Sequence, residues 1–567
     1  MSKAVTSLTW QLASQLMLHN RTILFRCCHT KHVKKREEKL SSPFFVTTPI
    51  FYVNAAPHIG HLYTCLLADV VTRWNKLKGN PTFFSTGTDE HGLKIQQAAA
   101  TQKLEPEEFT SQIAKQFINM FDAAGLQYDR FIRTSEQAHI EAVQAFWTRL
   151  YERGHIYPSS YAGWYSVSDE AFLSDLDVED KSLPDGSTVK ISKASGHPVT
   201  WFEENNYMFR LSEFQQALTL WLNSCSIVPH HFEPIVRHMI QSLPDLSVTR
   251  DRSRVPWGIP VPNDDTQTIY VWLDALVNYL TVTGYPNTNW GPWPPSCQII
   301  GKDILKFHAV YWPAFLIAAG YKPPEKLVVH SHWLVDNVKM SKSLGNVIDP
   351  VDKMQIFGVD GLRFFLLKEG SIESDSSYSE KRMVERLNTD LANTLGNLLG
   401  RLTAPSVNKT QSFVALNPDH MFEFLTVEER EFFKSTYDLA EQVDFLYRDL
   451  NLGKCISLIF SHLHWANTLV QGHQPWQLSQ STDPADTAHL HVVLHVAMET
   501  LRVCGILLQP IIPSITQKLL NRLGVPENER SYSNACTPAL SGYKKLGPKE
   551  ILQKKIILDT SGDLTKN

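Results

Sequence analysis

From Pro43 to about Gly154 the apolar positions switch between two periods. Phe44, Phe45, Val46, Thr47 and Thr48 form a short aromatic and β-branched run, as a buried strand requires. After a loop with Asn54 and Pro57, residues Ile59, Leu62, Leu66, Val70, Trp74 and Leu77 recur at spacings of three and four, which predicts one helix face. Gly79-Asn80-Pro81 stops that helix, and Phe83-Phe84 begin a second strand. Strand, loop, helix and strand make one parallel βαβ unit. At the helix start stands His58-Ile59-Gly60-His61. A helix N-terminus offers N–H groups and the positive end of a dipole, and Gly60 lets a ligand approach the backbone. Two imidazoles three residues apart can reach that ligand from one face, which suits a phosphate. Taken alone, the same histidines could simply cap the helix.

The segment GTDEHGLKIQQAAATQ, from Gly87, closes the second strand and predicts a long helix. It puts Asp89, Glu90 and His91 at the strand's C-terminal end, where open parallel sheets hold ligands; the plainer reading of Asp89 is a helix cap. Residues from about 156 to 262 break the βα rhythm and suit an inserted subdomain over the mouth of the site. The sheet is expected to resume with Ile269–Leu276, leading into a helix with Tyr279. A strand from Ile299 that ends in a Gly301 turn follows, then a helix with Phe307 and His308. Next comes Lys339-Met340-Ser341-Lys342-Ser343, expected in a mobile loop. Two lysines flanking small hydroxyls can follow a polyphosphate as charge moves onto its leaving end. From about Tyr378 helical spacings predict an antiparallel bundle, with Trp476 in a loop beside a helix end.

A chain of 567 residues exceeds one hydrophobic core, so three to five modules are expected. No apolar run looks long enough to cross a bilayer, and no membrane partner is expected. The net charge of −4 hides an asymmetry: residues 1–36 carry seven Lys/Arg and no acid, leaving 47 basic against 58 acidic residues in the rest. An acidic body binds RNA only through a local basic groove. The first forty residues are basic and rich in Ser and Thr, and Leu12, Leu16 and Met17 can line one helical face, the pattern of a mitochondrial presequence. Eight scattered cysteines contain no CxxC pair, which argues against a zinc knuckle or a disulfide framework.

HIGH near the start and KMSKS after it, in this order, resemble the paired signatures of class I aminoacyl-tRNA synthetases. TTPIFYVN, PHIGH and GTDEHG are similar to the methionyl members, and the resemblance runs from about 43 to 555. It implies an α/β fold class: a Rossmann-like parallel-sheet catalytic domain with an inserted connective subdomain, followed by an all-α anticodon-binding helix bundle. The expected divisions are a presequence at 1–40, catalytic halves at 41–155 and 263–328, and the insert at 156–262. A KMSKS module at 329–377, the bundle at 378–545 and a tail at 546–567 complete them.

By resemblance His58, His61, Lys339 and Lys342 are catalytic, and Gly60, Gly301 and Asp303 join His58, His61 and Lys342 around ATP. Ile50, Tyr52, Asp89, Trp272, Ala275, Tyr279, Ile304 and His308 would surround methionine, with Leu276 where some relatives have Pro and Ile50 where some have Leu. An aromatic wall suits a polarisable thioether, and Asp89 would hold the ammonium. Trp476, Asp390, Asn393 and Arg401 would meet the tRNA anticodon, with the last three facing one way; Asp390 and Thr394 depart from the Asn and Arg of one branch. The insert of the family often carries zinc knuckles. Here Gly154–His197 has no cysteine, so no structural zinc is expected. The implied activity is ATP- and Mg²⁺-dependent charging of mitochondrial tRNA(Met) with methionine, by a monomer in the mitochondrial matrix.

Overall fold

The computed structural model describes residues 42–557, apart from 167–170, 174, 183–186, 194, 290, 336 and 341–344. The expected presequence and Lys342 therefore lie outside the described residues. Among those described, six strands form one parallel sheet: β1 (Phe44–Tyr52), β2 (Thr82–Asp89), β3 (Arg130–Arg133), β4 (Ser226–Val228), β5 (Cys297–Gly301) and β6 (Lys326–His330). Their order is β3-β2-β1-β5-β6-β4.

Helix α1 (Ile59–Leu77) follows β1 and buries Ile59, Leu62, Leu66, Val70 and Trp74, the stripe expected from spacing. Side chains of this size each contribute roughly 1.5–3 kcal/mol when fully buried. The next helix is shorter than expected. α2 (Leu93–Thr101) ends at a turn where Lys103 takes φ +57°, and Pro106 opens a separate helix, α3 (Pro106–Ala123). Pro suits a first helical turn and cannot continue a preceding one. The cap of α2 is Gly92, at φ 109° and without a side-chain bond, so Asp89 is not a helix cap. α4 (Gln137–Glu152) follows and buries Val143, Phe146, Trp147 and Leu150 in a hydrophobic core shared with β5 and β6.

Most of residues 156–262, the expected insert, lies outside the parallel sheet. Ile156–Ser166 pairs antiparallel with Thr200–Phe209, flanked by Ala171–Leu173 and Leu246–Ser247, and Val178–Ser182 pairs with Thr188–Ser192 as a hairpin. The boundary differs from expectation, because β4 lies inside this span and completes the parallel sheet. A second correction concerns Ile269–Leu276. Asp264–Ile269 belongs to a three-stranded antiparallel sheet with Thr249–Asp251 and Pro260–Val261, and helix α5 (Val271–Thr281) begins two residues later. A continuous apolar run does not distinguish a buried strand from a buried helix, and here the helix is formed.

After β6, the short strand Trp333–Val335 pairs with Val338–Lys339 and with Ser376–Ser377. Helix α6 (Val359–Glu369) joins the helical core with α7 (Leu452–His473), α8 (Pro484–Leu508) and α9 (Pro513–Leu523). By length and composition α8 could cross a membrane, contrary to the sequence reading. However, 94% of its apolar window is buried inside the protein, as expected of a bundle's central helix. Its Glu499 and Arg502 pair at 2.6 Å within that core. Residues 546–557, expected as tail, dock against the bundle: Leu546 and Leu552 are buried, and Asn388 exchanges two hydrogen bonds with the Ile556 backbone.

Candidate active site

The start of α1 is built by a reciprocal cap. The Gly60 N–H donates to His58 Nδ1 at 3.0 Å, and the His58 N–H donates to His61 Nδ1 at 3.2 Å. Both Nδ1 atoms accept, so each neutral ring carries its proton on Nε2. The rings stack with centroids 3.8 Å apart. Burial, and then the neighbouring His58, hold the His61 pKa well below its usual value, which keeps that ring neutral. A Cβ at Gly60 would lie 2.8 Å from His58 Cε1, so the cap itself demands glycine. Capping and phosphate binding are thus compatible: one nitrogen of each imidazole organises the helix, and the other carries a donor.

The second signature frames this helix start. The Ile59 N–H donates to Ile348 O at 3.2 Å, and Met340 Cε lies 3.8 Å from where a Gly60 Cβ would be. Lys339 ends a strand paired with Leu334. Residues on both sides of 341–344 therefore border the HIGH turn. Thr64, one turn into α1, lies 2.9 Å from His330 Nε2 and 3.1 Å from Gly60 O. His330, which the sequence reading did not single out, donates from Nδ1 to Ser331 O at 2.9 Å, and burial lowers its pKa to about 4.

The residues expected around the amino acid lie on β1, β2, α5 and the segment after β5. Tyr52 pairs in register with Asp89 and Ile50 with Gly87, which puts Ile50, Tyr52 and Asp89 on one face of the sheet. Trp272, Ala275 and Tyr279 follow at helical spacing on α5. Trp272 stacks on Phe307 with centroids 3.5 Å apart. His308 donates from Nδ1 to Ile304 O at 3.0 Å, so its Nε2 accepts from the Tyr279 hydroxyl at 2.7 Å. Burial takes the His308 pKa down to about 4, which leaves this pair uncharged at neutral pH. Asp303 folds back toward Gly301, with Oδ1 2.6 Å from where a Gly301 Cβ would be.

Around Asp89 the loop is tightly held, through contacts that the sequence does not announce. Glu90 is fully buried and accepts from Arg133 Nε at 2.7 Å, Ser135 Oγ at 2.6 Å and Thr88 Oγ1 at 2.7 Å. The Trp257 indole donates to Glu90 O at 2.5 Å, and the Gly92 N–H donates to Trp257 O at 3.1 Å. No local signal in the segment WGIPVP (257–262) marks its contact with a loop some 165 residues earlier.

In the bundle the expected tRNA residues separate. Asn393 and Arg401 are exposed. Asp390 is buried and ion-paired with Lys368 at 2.7 Å, so it does not share their face. The cause is local: Leu387–Gly396 is a π-helix, whose i→i+5 bonds take an extra residue into each turn and rotate α-helical spacing out of phase. Trp476 lies half-buried on a short helix, Pro475–Leu478, after Gln474 turns the chain at φ +47°. Among the described residues no cluster of three His, Cys, Asp or Glu is arranged to hold a metal.

Comparison with known proteins agrees with this geometry. Residues 44–403 match the family described as tRNA synthetases class I (M). The human mitochondrial methionine–tRNA ligase is 48% identical over 503 residues, covering 86% of this chain and 85% of that protein. The probable mitochondrial methionine–tRNA ligase of Dictyostelium discoideum is 43% identical, with 88% of each chain covered. Among solved structures, the Mycobacterium tuberculosis methionyl-tRNA synthetase in complex with methionyl-adenylate superposes with a TM-score of 0.85 at 36% identity, covering 90% of this chain and 99% of that one. With family match, relatives and fold in agreement, this chain belongs to the class I aminoacyl-tRNA synthetases, in the methionine–tRNA ligase family that includes these mitochondrial enzymes.

Proposed function

We propose that the chain activates methionine with ATP and transfers it to mitochondrial tRNA(Met) in the matrix. The observation that carries this reading is the placement of the HIGH turn, the borders of the KMSKS loop and the aromatic residues beyond the C-terminal ends of the parallel strands. Methionine's carboxylate oxygen attacks the α-phosphorus of ATP, the bond to the bridging oxygen breaks, and pyrophosphate leaves. The 2′-hydroxyl of the terminal adenosine then attacks the acyl carbon, and AMP leaves. The Nε2–H groups of His58 and His61 cradle the phosphates, Gly60 leaves them room beside the backbone, and Lys339 and Lys342 take up charge on the departing pyrophosphate. Gly301 and Asp303 border the nucleotide. Positioning and electrostatics carry the reaction. Mg²⁺ enters bound to ATP, as part of the substrate.

Asp89 receives the ammonium, and Ile50, Tyr52, Trp272, Ala275, Tyr279, Ile304 and His308 enclose the side chain. With Tyr279 donating to His308, both groups face the thioether uncharged, and selection rests on shape. The insert is read as zinc-free, held by strand pairing and its own apolar contacts. A single chain as the acting unit, without membrane attachment, completes the proposal.

Methionine-dependent ATP–pyrophosphate exchange without tRNA, followed by charging with tRNA, tests the assignment. No exchange with methionine in a folded preparation would overturn it. Asp89→Ala is expected to raise the KM for methionine at least tenfold while leaving the KM for ATP near normal; an unchanged methionine KM would remove Asp89 from the ammonium role.

In the bundle, Trp476, Asn393 and Arg401 remain the residues proposed to meet the anticodon, and Asp390 drops out. Trp476→Ala is expected to lower tRNA affinity by about 1–3 kcal/mol, the loss of one stacked base. Pyrophosphate exchange and melting temperature should not change. A lowered melt with all activities reduced would instead assign the indole to core packing.

A further inference from the structure

Asp274 lies on α5 between Trp272 and Ala275, with its side chain fully buried. Its Oδ2 is 2.7 Å from His91 Nδ1, and its Oδ1 is 2.9 Å from His139 Nε2. An ionised carboxylate only accepts, so both imidazoles donate to it. Desolvation opposes ionisation there, but the two histidines outweigh it and hold the Asp274 pKa below the usual carboxylate value. His139 on α4 is in turn 2.9 Å from Thr281 Oγ1 at the far end of α5.

The geometry gives this carboxylate a particular place. His91 stands two residues after Asp89, in the loop that leaves β2. Glu90, between them, is anchored to Arg133 and Ser135, on the β3 side of the sheet. Among these bonds the His91–Asp274 contact runs the other way, from the Asp89 loop to the helix that carries Trp272, Ala275 and Tyr279. His139 braces the same carboxylate from α4, so Asp274 cannot follow His91 if the loop shifts.

We propose that the Asp274–His91 pair is a positioning device for amino-acid selection. It fixes Asp89 relative to the aromatic face of α5, so that a substrate is accepted only when its ammonium and its side chain seat together. This rests on the reading of Asp89 and α5 as the methionine pocket. Neither Asp274 nor His91 needs to touch methionine; the pair acts through the groups it holds. Loosening it should blur the match between ammonium and side-chain positions and leave the nucleotide site, on α1, as it was.

The test compares His91→Leu, which removes the donor, with His91→Asn, whose amide nitrogen sits near the place of Nδ1. Pyrophosphate exchange on the full chain is measured against methionine, ATP and norleucine. His91→Leu is expected to raise the KM for methionine at least tenfold, keep the KM for ATP within twofold, and narrow the preference for methionine over norleucine. His91→Asn is expected to recover most of both losses. KM and the methionine-to-norleucine ratio do not depend on how much enzyme is folded, so a lowered melting temperature does not mask the outcome. An unchanged methionine KM and preference in His91→Leu would overturn the proposal, as would His91→Asn behaving like His91→Leu. Asp89→Ala, assayed alongside, separates the two readings. If it leaves the methionine KM unchanged, the pocket assignment falls and this role falls with it. If it raises that KM while His91→Leu does not, the link alone is refuted.

Discussion

Arg363→Met is expected to lower the stability of the catalytic and helical parts together by about 3–5 kcal/mol, the cost of removing one partner of a buried ion pair. Arg363 on α6 is 1% exposed. It donates from Nη2 to Asp69 Oδ2 at 2.7 Å and to Pro510 O at 2.9 Å, and from Nε to Ile511 O at 3.1 Å. Asp69 is a fully buried residue of α1, the helix that opens with HIGH, and it also accepts from Arg73 and from the Gln127 N–H. One guanidinium thus ties α1 to the segment before α9. Methionine keeps much of the volume but leaves Asp69 and the carbonyls of Pro510, Ile511 and Ala124 without those donors. The measurement is a calorimetric melt with pyrophosphate exchange followed through it. Adding Asp69→Leu should restore part of the loss, because Asp69 then no longer remains as a buried carboxylate held by Arg73 and the Gln127 N–H alone. An unchanged melt in the single variant would show that the ion pair contributes nothing net.

His61 offers a second large effect, because its two nitrogens have different tasks. His61→Asn places an amide oxygen where Nδ1 accepts from the His58 N–H, and loses the Nε2–H donor. Activation is expected to fall by about 10²–10³-fold with the melting temperature preserved, as for other single donors aimed at a transition state. His61→Gln reaches the Nε2 position instead and sacrifices the cap, which costs about 1 kcal/mol of helix stability. It should retain at least tenfold more exchange activity than His61→Asn, with a lower melting temperature. Near-normal exchange in His61→Asn would mean that His61 is a helix cap and nothing more.

Much of the site was legible because its elements are local. The stripe from Ile59 to Leu77, the break at Gly79-Asn80-Pro81 and the HIGH turn each occupy a few consecutive residues, and each formed where its spacing placed it. Position at strand ends was readable for the same reason: Asp89 closes β2 and Gly301 closes β5. Motif and period therefore marked the helix that opens with HIGH and the strand ends around it before any tertiary contact was known.

What remained hidden depends on partners far along the chain. Whether Ile269–Leu276 becomes strand or helix is a choice between two ways of burying one apolar run, settled by α5 packing against α4. β4 is three residues long, too short for a period, and becomes a strand because β6 offers it an open edge. Asp390 turned inward because a π-helix changed the phase of its face, and Lys368 received it. The same holds for the polar links inside the molecule. His91 and Asp274 stand 183 residues apart, and Asp69 and Arg363 stand 294 apart. Period and motif describe a residue's neighbours along the chain, so the sequence by itself determined the elements and the chemistry at their ends. Burial of a charge is stable only beside a partner of opposite charge, and that pairing exists only once the chain has folded, so the tertiary structure alone decided which charges are buried and what they hold in place.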